Sequence, residues 1–218
     1  MIQKFVFVGI TGVGRTFLEL ELQNKYGFYS WPKYTDRKEQ RSEEVGQNNV
    51  VFVSKEEFDQ MSDDFIFTLN HLNYRYGWRR RDLADNQNKN ITLSITLESL
   101  ADFMVRVPGF MPIMLHVDLE NFALIEQRVK SREDYSNLTL DQKKYLDEKI
   151  QERLISARYE LEQFMFYQKT ILKYGGKIFT IKDNTTISNE VIPYILANRE
   201  IAPRQSMQDI ASRYVRKM

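Results

Sequence analysis

Apolar residues along the chain alternate between short continuous runs and stretches of helical period. The run Phe5 to Val8 is unbroken by polar residues, as a strand buried on both faces requires. Phe17, Leu18, Leu20 and Leu22 then open a helix that stops near Gly27. Val50 to Val53 predicts a second strand, and Ser54-Lys55-Glu56-Glu57 a capping box that starts a short helix. Ile91 to Leu97 alternates apolar residues with Thr92, Ser94 and Thr96, a strand pattern. Ile113 to Val117 is a further apolar strand with Pro112 just before it, and Asp118 is placed to cap a helix beginning at Leu119. From Asp141 to about Tyr174, Leu146, Ile150, Leu154, Ala157, Leu161, Phe164 and Met165 keep three-to-four spacing, which predicts one long helix with an inward face. Gly175 and Gly176 end it, and Lys177 to Ile181 reads as the last strand. Two polar segments, Trp31 to Asn49 and Trp78 to Asn90, interrupt this order. Strands alternating with helices predict an α/β fold with a mainly parallel sheet covered by helices on both faces.

Composition bounds what such a fold can do. The 218 residues suit one domain with a small lid and tail, and 42% apolar against 28% charged residues favours a packed core over disorder. A net charge of +1 supplies no global field for nucleic acid or an anionic membrane. Any phosphate recognition must therefore be local. Cysteine is absent, which excludes disulfides, thiol catalysis and thiolate metal sites and suits the cytosol. The apolar run near Met1 is too short for a signal peptide, so a cytoplasmic protein is expected.

The candidate chemistry lies between the first strand and the first helix. Gly9-Ile10-Thr11-Gly12-Val13-Gly14-Arg15-Thr16 fits the phosphate-binding spacing G-x-x-x-x-G-K-[ST] with arginine at the lysine position. Glycines let backbone amides turn toward a phosphate, and the helix N-terminus adds positive partial charge. Thr16 offers a hydroxyl to Mg2+. A planar guanidinium needs more room than a lysine stem, so Arg15 is not a neutral exchange.

The stretch after this loop, Tyr34 to Met61, resembles the nucleotide-monophosphate segment of the guanylate kinase family of P-loop nucleotide kinases, with Arg41, Glu44, Phe52, Val53, Ser54, Glu57, Phe58 and Met61 in register. Tyr76-Gly77 matches the family's pair at the end of the acceptor segment, and Leu124 to Glu133, with Arg128 and Arg132, resembles the helix leading into the lid. Ile150 to Leu161, with Arg153, resembles the helix after the lid. The resemblance covers roughly residues 3 to 197. It implies a P-loop kinase fold with an acceptor segment at about 33–90 and a lid at about 132–145. It also implies ATP and Mg2+ as cofactors and a nucleotide or small phosphate ester as partner. By resemblance, the amides of Gly9, Gly12, Val13 and Gly14, with Arg15 and Thr16, would hold ATP, and Thr16 the metal. Arg37, Lys38, Arg41 and Tyr76 would hold the acceptor phosphate, and Arg15, Arg128, Arg132 and Arg153 would surround the transferring group. Solvated arginines or ion pairs with Glu126 or Glu133 are the plainer alternative for the helical ones.

Departures from the family cluster at the chemistry. Arg15 replaces the loop lysine, and Arg37 and Arg41 stand one residue further apart than the family's arginine pair, with Lys38 at the expected place. Val50 replaces a phosphate-binding tyrosine, and Phe67 the glutamate that reads guanine. Ser94 and Thr96 replace two strand acids, and hydroxyls cannot supply a carboxylate's charge at Mg2+. Guanine specificity is not expected. Phe67 to Gly77 also resembles the equivalent stretch of the ribose 1,5-bisphosphate phosphokinases; within it, His71 is expected to be packed or solvated rather than an acceptor contact. Three readings stay open: an ATP-dependent phosphotransferase, a binding module that has lost catalysis, and a nucleotide sensor. Residues 198–218 form a C-terminal extension outside the resemblance, where Met207, Ile210, Tyr214 and Val215 predict a short amphipathic helix. Packing on the core or contact between two copies in a homodimer would bury it.

Overall fold

The computed structural model describes residues 2–38, 46–131 and 139–198. Strand β1 (Lys4–Gly9) lies at the centre of a five-stranded sheet, between β7 (Ile91–Ser94) and β8 (Met111–His116). The outer strands are β2 (Tyr29–Ser30) beside β7 and β9 (Lys177–Thr180) beside β8, and every pairing is parallel. Successive residues of a strand face opposite sides of the sheet. All of Phe5 to Gly9 is buried, so both faces are covered, which is why this run carries no polar residue.

Helix α1 (Arg15–Tyr26) follows β1 directly and ends at Gly27, in the left-handed region at φ 69°. The chain between β2 and β7 builds a second, four-stranded sheet: β3 (Lys33–Thr35), β4 (Val50–Phe52), β5 (Phe65–His71) and β6 (Tyr74–Arg79), ordered β4-β3-β6-β5. Short helices α2 (Lys55–Gln60) and α3 (Arg80–Asp85) flank it, and the capping box expected at Ser54 is formed with Glu57. Arg75 pins this unit. Its Nε donates to Asp36 Oδ2 at 2.7 Å, its backbone amide to Asp36 Oδ1 at 2.9 Å, and its other nitrogens to Asp59 and the Lys55 carbonyl. Burial alone would raise the Asp36 carboxyl, but the hydrogen bonds and charge of Arg75 outweigh it and hold the pKa below the ordinary carboxylate value.

Helices α4 (Leu100–Arg106), α5 (Phe122–Lys130), α6 (Leu140–Glu162), α7 (Phe164–Lys173) and α8 (Ile192–Ala197) complete the fold. Several sequence expectations change, and the strand expected over Ile91 to Leu97 ends at Ser94. The helix after Asp118 begins at Phe122; a 3-10 turn covers Leu119–Asn121, and the Asp118 carboxylate lies 3.4 Å from His116 Nε2 instead of capping. The long C-terminal helix is two, divided at Gln163, and Phe164 stacks on His116 with ring centroids 3.8 Å apart. Pro112 is the second residue of β8 rather than a residue before it, in register with Val6 of β1, while β9 joins only from Ile113. Part of the segment expected as a lid already belongs to α6, whose first turn is capped by Thr139 and Gln142. Among the described residues no helix is long and apolar enough to cross a membrane.

Candidate functional site

The glycine-rich loop leaves β1 at the C-terminal edge of the sheet and enters α1 without a side-chain cap. Gly9, Gly12 and Gly14 have φ of 149°, 85° and 112°, all in the left-handed region. At Gly14 the left-handed backbone is what requires glycine; a Cβ would also stand 2.5 Å from Ile187 Cδ1, the movable tip of that side chain. At Gly9 the added carbon would meet the Leu115 carbonyl. The first turn of α1 therefore has no side-chain cap on its amides.

A cleft open to solvent separates this loop from the inserted sheet. Its floor is Ile10 to Gly12 and Gly14 to Thr16, one wall is the β7 end at Ser94 to Thr96, and the other wall carries Lys33, Arg37, Leu69, His71, Tyr76 and Trp78. Arg15, Lys33 and Arg37 give the described lining three cationic side chains and no carboxylate. Backbone amides, cations and a helix N-terminus therefore converge on one cavity, an arrangement suited to a polyanion.

The carboxylates stand behind the walls. Glu19 on α1 is 2% exposed and accepts the hydroxyls of Ser30 and Ser94, the latter at 2.6 Å. Glu160 on α6 is also buried. Removal from water pushes its pKa up to about 7; the charge of Glu98 adds to the rise, while the charge of Arg15 and the Ser156 hydroxyl oppose it.

Comparison with solved structures identifies the architecture. The guanylate kinase of Anaplasma phagocytophilum superposes with a TM-score of 0.63, covering 96% of this chain and 93% of that chain at 15% identity. The chain has a P-loop kinase fold. The shikimate kinase of Bacteroides thetaiotaomicron matches at TM-score 0.40 and 15% identity, over 90% of this chain and 99% of that chain. No family model and no curated protein matches the chain.

Within this P-loop kinase fold the sequence-derived site residues separate into groups. Gly12, Gly14, Arg15, Thr16, Arg37 and Tyr76 all line the cleft, whereas Gly9 and Val13 are buried at the loop's two turns. The Arg15 guanidinium donates to the carbonyl of Ile95 across the cleft floor. Arg37 lies 5.4 Å from the Phe52 ring centroid, so its plane packs on an aromatic face while it lines the cavity. Lys38 is exposed and does not line the cleft. Arg128 is behind the loop: it donates to the carbonyls of Gly12 at 3.4 Å, Val13 at 3.2 Å and Asp183 at 3.2 Å, and to Asn184 Oδ1 at 2.8 Å. Arg153 is half-buried on α6, away from the cleft lining. Arg41, Arg132 and the C-terminal extension from residue 199 lie outside the described residues.

Lys33 and His71 also line the cleft, and neither is assigned to the site by a motif. Lys33 opens β3, opposite Val50 of β4. His71, expected to be packed or solvated, lines the wall beside Leu69 and Tyr76. Phe67, at the position expected to read a base, is 2% exposed and packs edge-on to Phe103 at 5.2 Å and against Trp78 at 5.8 Å. It is part of the core joining the two sheets.

Proposed function

We propose that this chain is an ATP-dependent phosphotransferase whose acceptor is a nucleoside monophosphate or a similar small phosphate ester, with no guanine-reading site. The observation that carries the reading is the shared cleft: a glycine-rich loop at a helix N-terminus faces Lys33, Arg37 and Tyr76 across one cavity. Phosphoryl transfer requires little covalent help from a protein; it requires two phosphates in line, surrounded by cations, with water excluded. In this reading the loop amides and Arg15 hold the donor phosphates, and Arg37 and Tyr76 hold the acceptor phosphate by charge-assisted and phenolic hydrogen bonds, with Arg41 as a further acceptor contact, while Lys38, outside the cleft lining, takes no part. Arg132 and Arg153 would bring charge to the transferring group on closure, and Arg128 would serve by bracing the loop whose carbonyls it binds. The cleft's oxygen donors, the hydroxyls of Thr16, Ser94 and Thr96, suit a hard cation that keeps most of its waters and phosphate ligands. Mg2+ held at Thr16 would offset phosphate charge. We place this enzyme in the cytoplasm, which the absence of cysteine suits.

Phe67 supports the loss of base recognition. A buried phenyl ring offers no acceptor to a base edge, so Phe67 contributes nothing to base recognition, and Leu69 and Trp78 give the cleft wall an apolar surface. The Arg15 to Ile95 hydrogen bond favours a second reading, a nucleotide sensor whose loop cation does not reach the transferring group. Titration calorimetry with Mg-ATP, followed by an ADP-release assay over phosphorylated acceptors, separates them. The phosphotransferase reading expects one-to-one ATP binding and acceptor-dependent ADP release. Binding without release under any acceptor selects the sensor, and no heat at millimolar ATP refutes both.

A further inference from the structure

The buried carboxylate of Glu19 has a place in the cleft's chemistry that the loop motif does not assign. It lies one helical turn beyond Arg15 on α1, 2% exposed, with both oxygens engaged: Ser30 Oγ donates to one, and Ser94 Oγ donates to the other at 2.6 Å. A buried carboxylate is costly unless such donors compensate it. Ser30 is itself buried in β2, whereas Ser94 ends β7 opposite Phe7 and lines the cleft beside the glycine-rich loop.

The direction of the hydrogen bond decides what Ser94 presents. A serine hydroxyl has one proton and two lone pairs. With the proton given to Glu19, the side of Ser94 Oγ facing the cavity can only accept. The described lining otherwise has no anionic group. Mg2+ travelling with a nucleotide keeps several waters, and those waters are strong donors that need acceptors of fixed orientation.

We propose that Glu19 is a positioning residue for the metal shell of the bound nucleotide, acting through the Ser94 hydroxyl. It supplies from the helix the negative charge that β7 lacks at its cleft end, and it orients Ser94 Oγ to accept from metal-bound water. This inference rests on the nucleotide-binding reading above. It also accounts for an acid on the buried side of α1, beside Leu18 and Leu22.

The test is the metal preference of ADP binding: the ratio of dissociation constants for ADP without divalent metal and for Mg-ADP, measured by calorimetry on the full chain. The parent protein is expected to favour Mg-ADP. Glu19→Gln and Ser94→Ala are each expected to lower that ratio about tenfold, a loss equivalent to about 1.4 kcal/mol, while Ser94→Thr, which keeps the hydroxyl, retains it. Taking a ratio removes any general effect of a variant on loop structure. The Ser94→Ala arm stands if Glu19→Gln fails to fold, because Glu19 keeps Ser30. A metal preference unchanged in Ser94→Ala, or in a folded Glu19→Gln, overturns this inference alone. A parent chain that binds ADP neither with nor without metal overturns the nucleotide reading and this inference together.

Discussion

Replacing Glu160 with glutamine should make the protein more stable at alkaline pH and leave it nearly unchanged in acid. The carboxyl is buried on α6, and its pKa rises from 4.5 to about 7, first because burial penalises the charge and second because Glu98 is near. Arg15 opposes the shift without cancelling it. Between these two values the folded state keeps a proton that the unfolded chain has lost, so stability falls as pH rises through that window and levels off above it. A displacement of this size corresponds to about 3 kcal/mol between pH 4 and pH 8.5. Glutamine removes the ionisation while keeping a polar group that the Ser156 hydroxyl can still bond. Urea denaturation of both proteins across pH 4 to 8.5 measures the effect. The two stability curves should meet in acid and separate progressively to about 3 kcal/mol near pH 8. Parallel curves would refute the assignment of this titration to Glu160. The nearby guanidinium gives a second check: Arg15→Met should extend the loss to higher pH, because the one charge favouring the ionised carboxylate is gone and the folded pKa rises further.

Arg15→Ala should weaken Mg-ATP binding by about tenfold or more, the cost of a charge-assisted hydrogen bond, as read by calorimetry; an unchanged affinity would mean the guanidinium stays on the Ile95 carbonyl when nucleotide binds. Phe67→Ala should destabilise the fold by about 3 to 5 kcal/mol because the ring joins Phe103 to Trp78, and a loss below about 1 kcal/mol in chemical denaturation would contradict its core role. Gly14→Ala should abolish nucleotide binding, since it adds a carbon against Ile187 at a φ of 112°; retained affinity would show that the loop can open. In the inserted sheet, Arg75 holds the Asp36 pKa below its usual value, so that pair's stabilisation is present above the unfolded pKa and is lost as pH falls through the folded one. Arg75→Met should remove that acid-side loss, and proteolysis within residues 46–79 should accelerate.

Sequence alone determined the parts set by local rules. The unbroken run at β1 needed burial on both faces, the Ser54 box satisfied its own helix end, and the glycine spacing fixed where a backbone could turn around an anion. The alternation of strands and helices was enough to expect a parallel sheet. The β5–β6 hairpin was less legible because its turn, Leu72 and Asn73 at φ 49° and 64°, lacks the usual glycine. Periodicity could not reveal the break at Gln163 either, since both helices keep apolar faces and the division is expressed in the contact of Phe164 with His116.

Tertiary structure alone decided which charges meet. Arg15 and Arg128 are separated by little in chemistry and much in place: one crosses the cleft floor, and the other holds the loop from behind through Gly12 and Val13. Lys33 is a cleft residue that no motif marks, and Glu19 reached Ser94 from 75 positions away in the chain. No local pattern encodes such meetings, because hydrogen bonds and pKa shifts depend on distance in space and on exclusion of water. Residue types state what chemistry is available; packing determines which groups share a cavity and which are spent on holding it together.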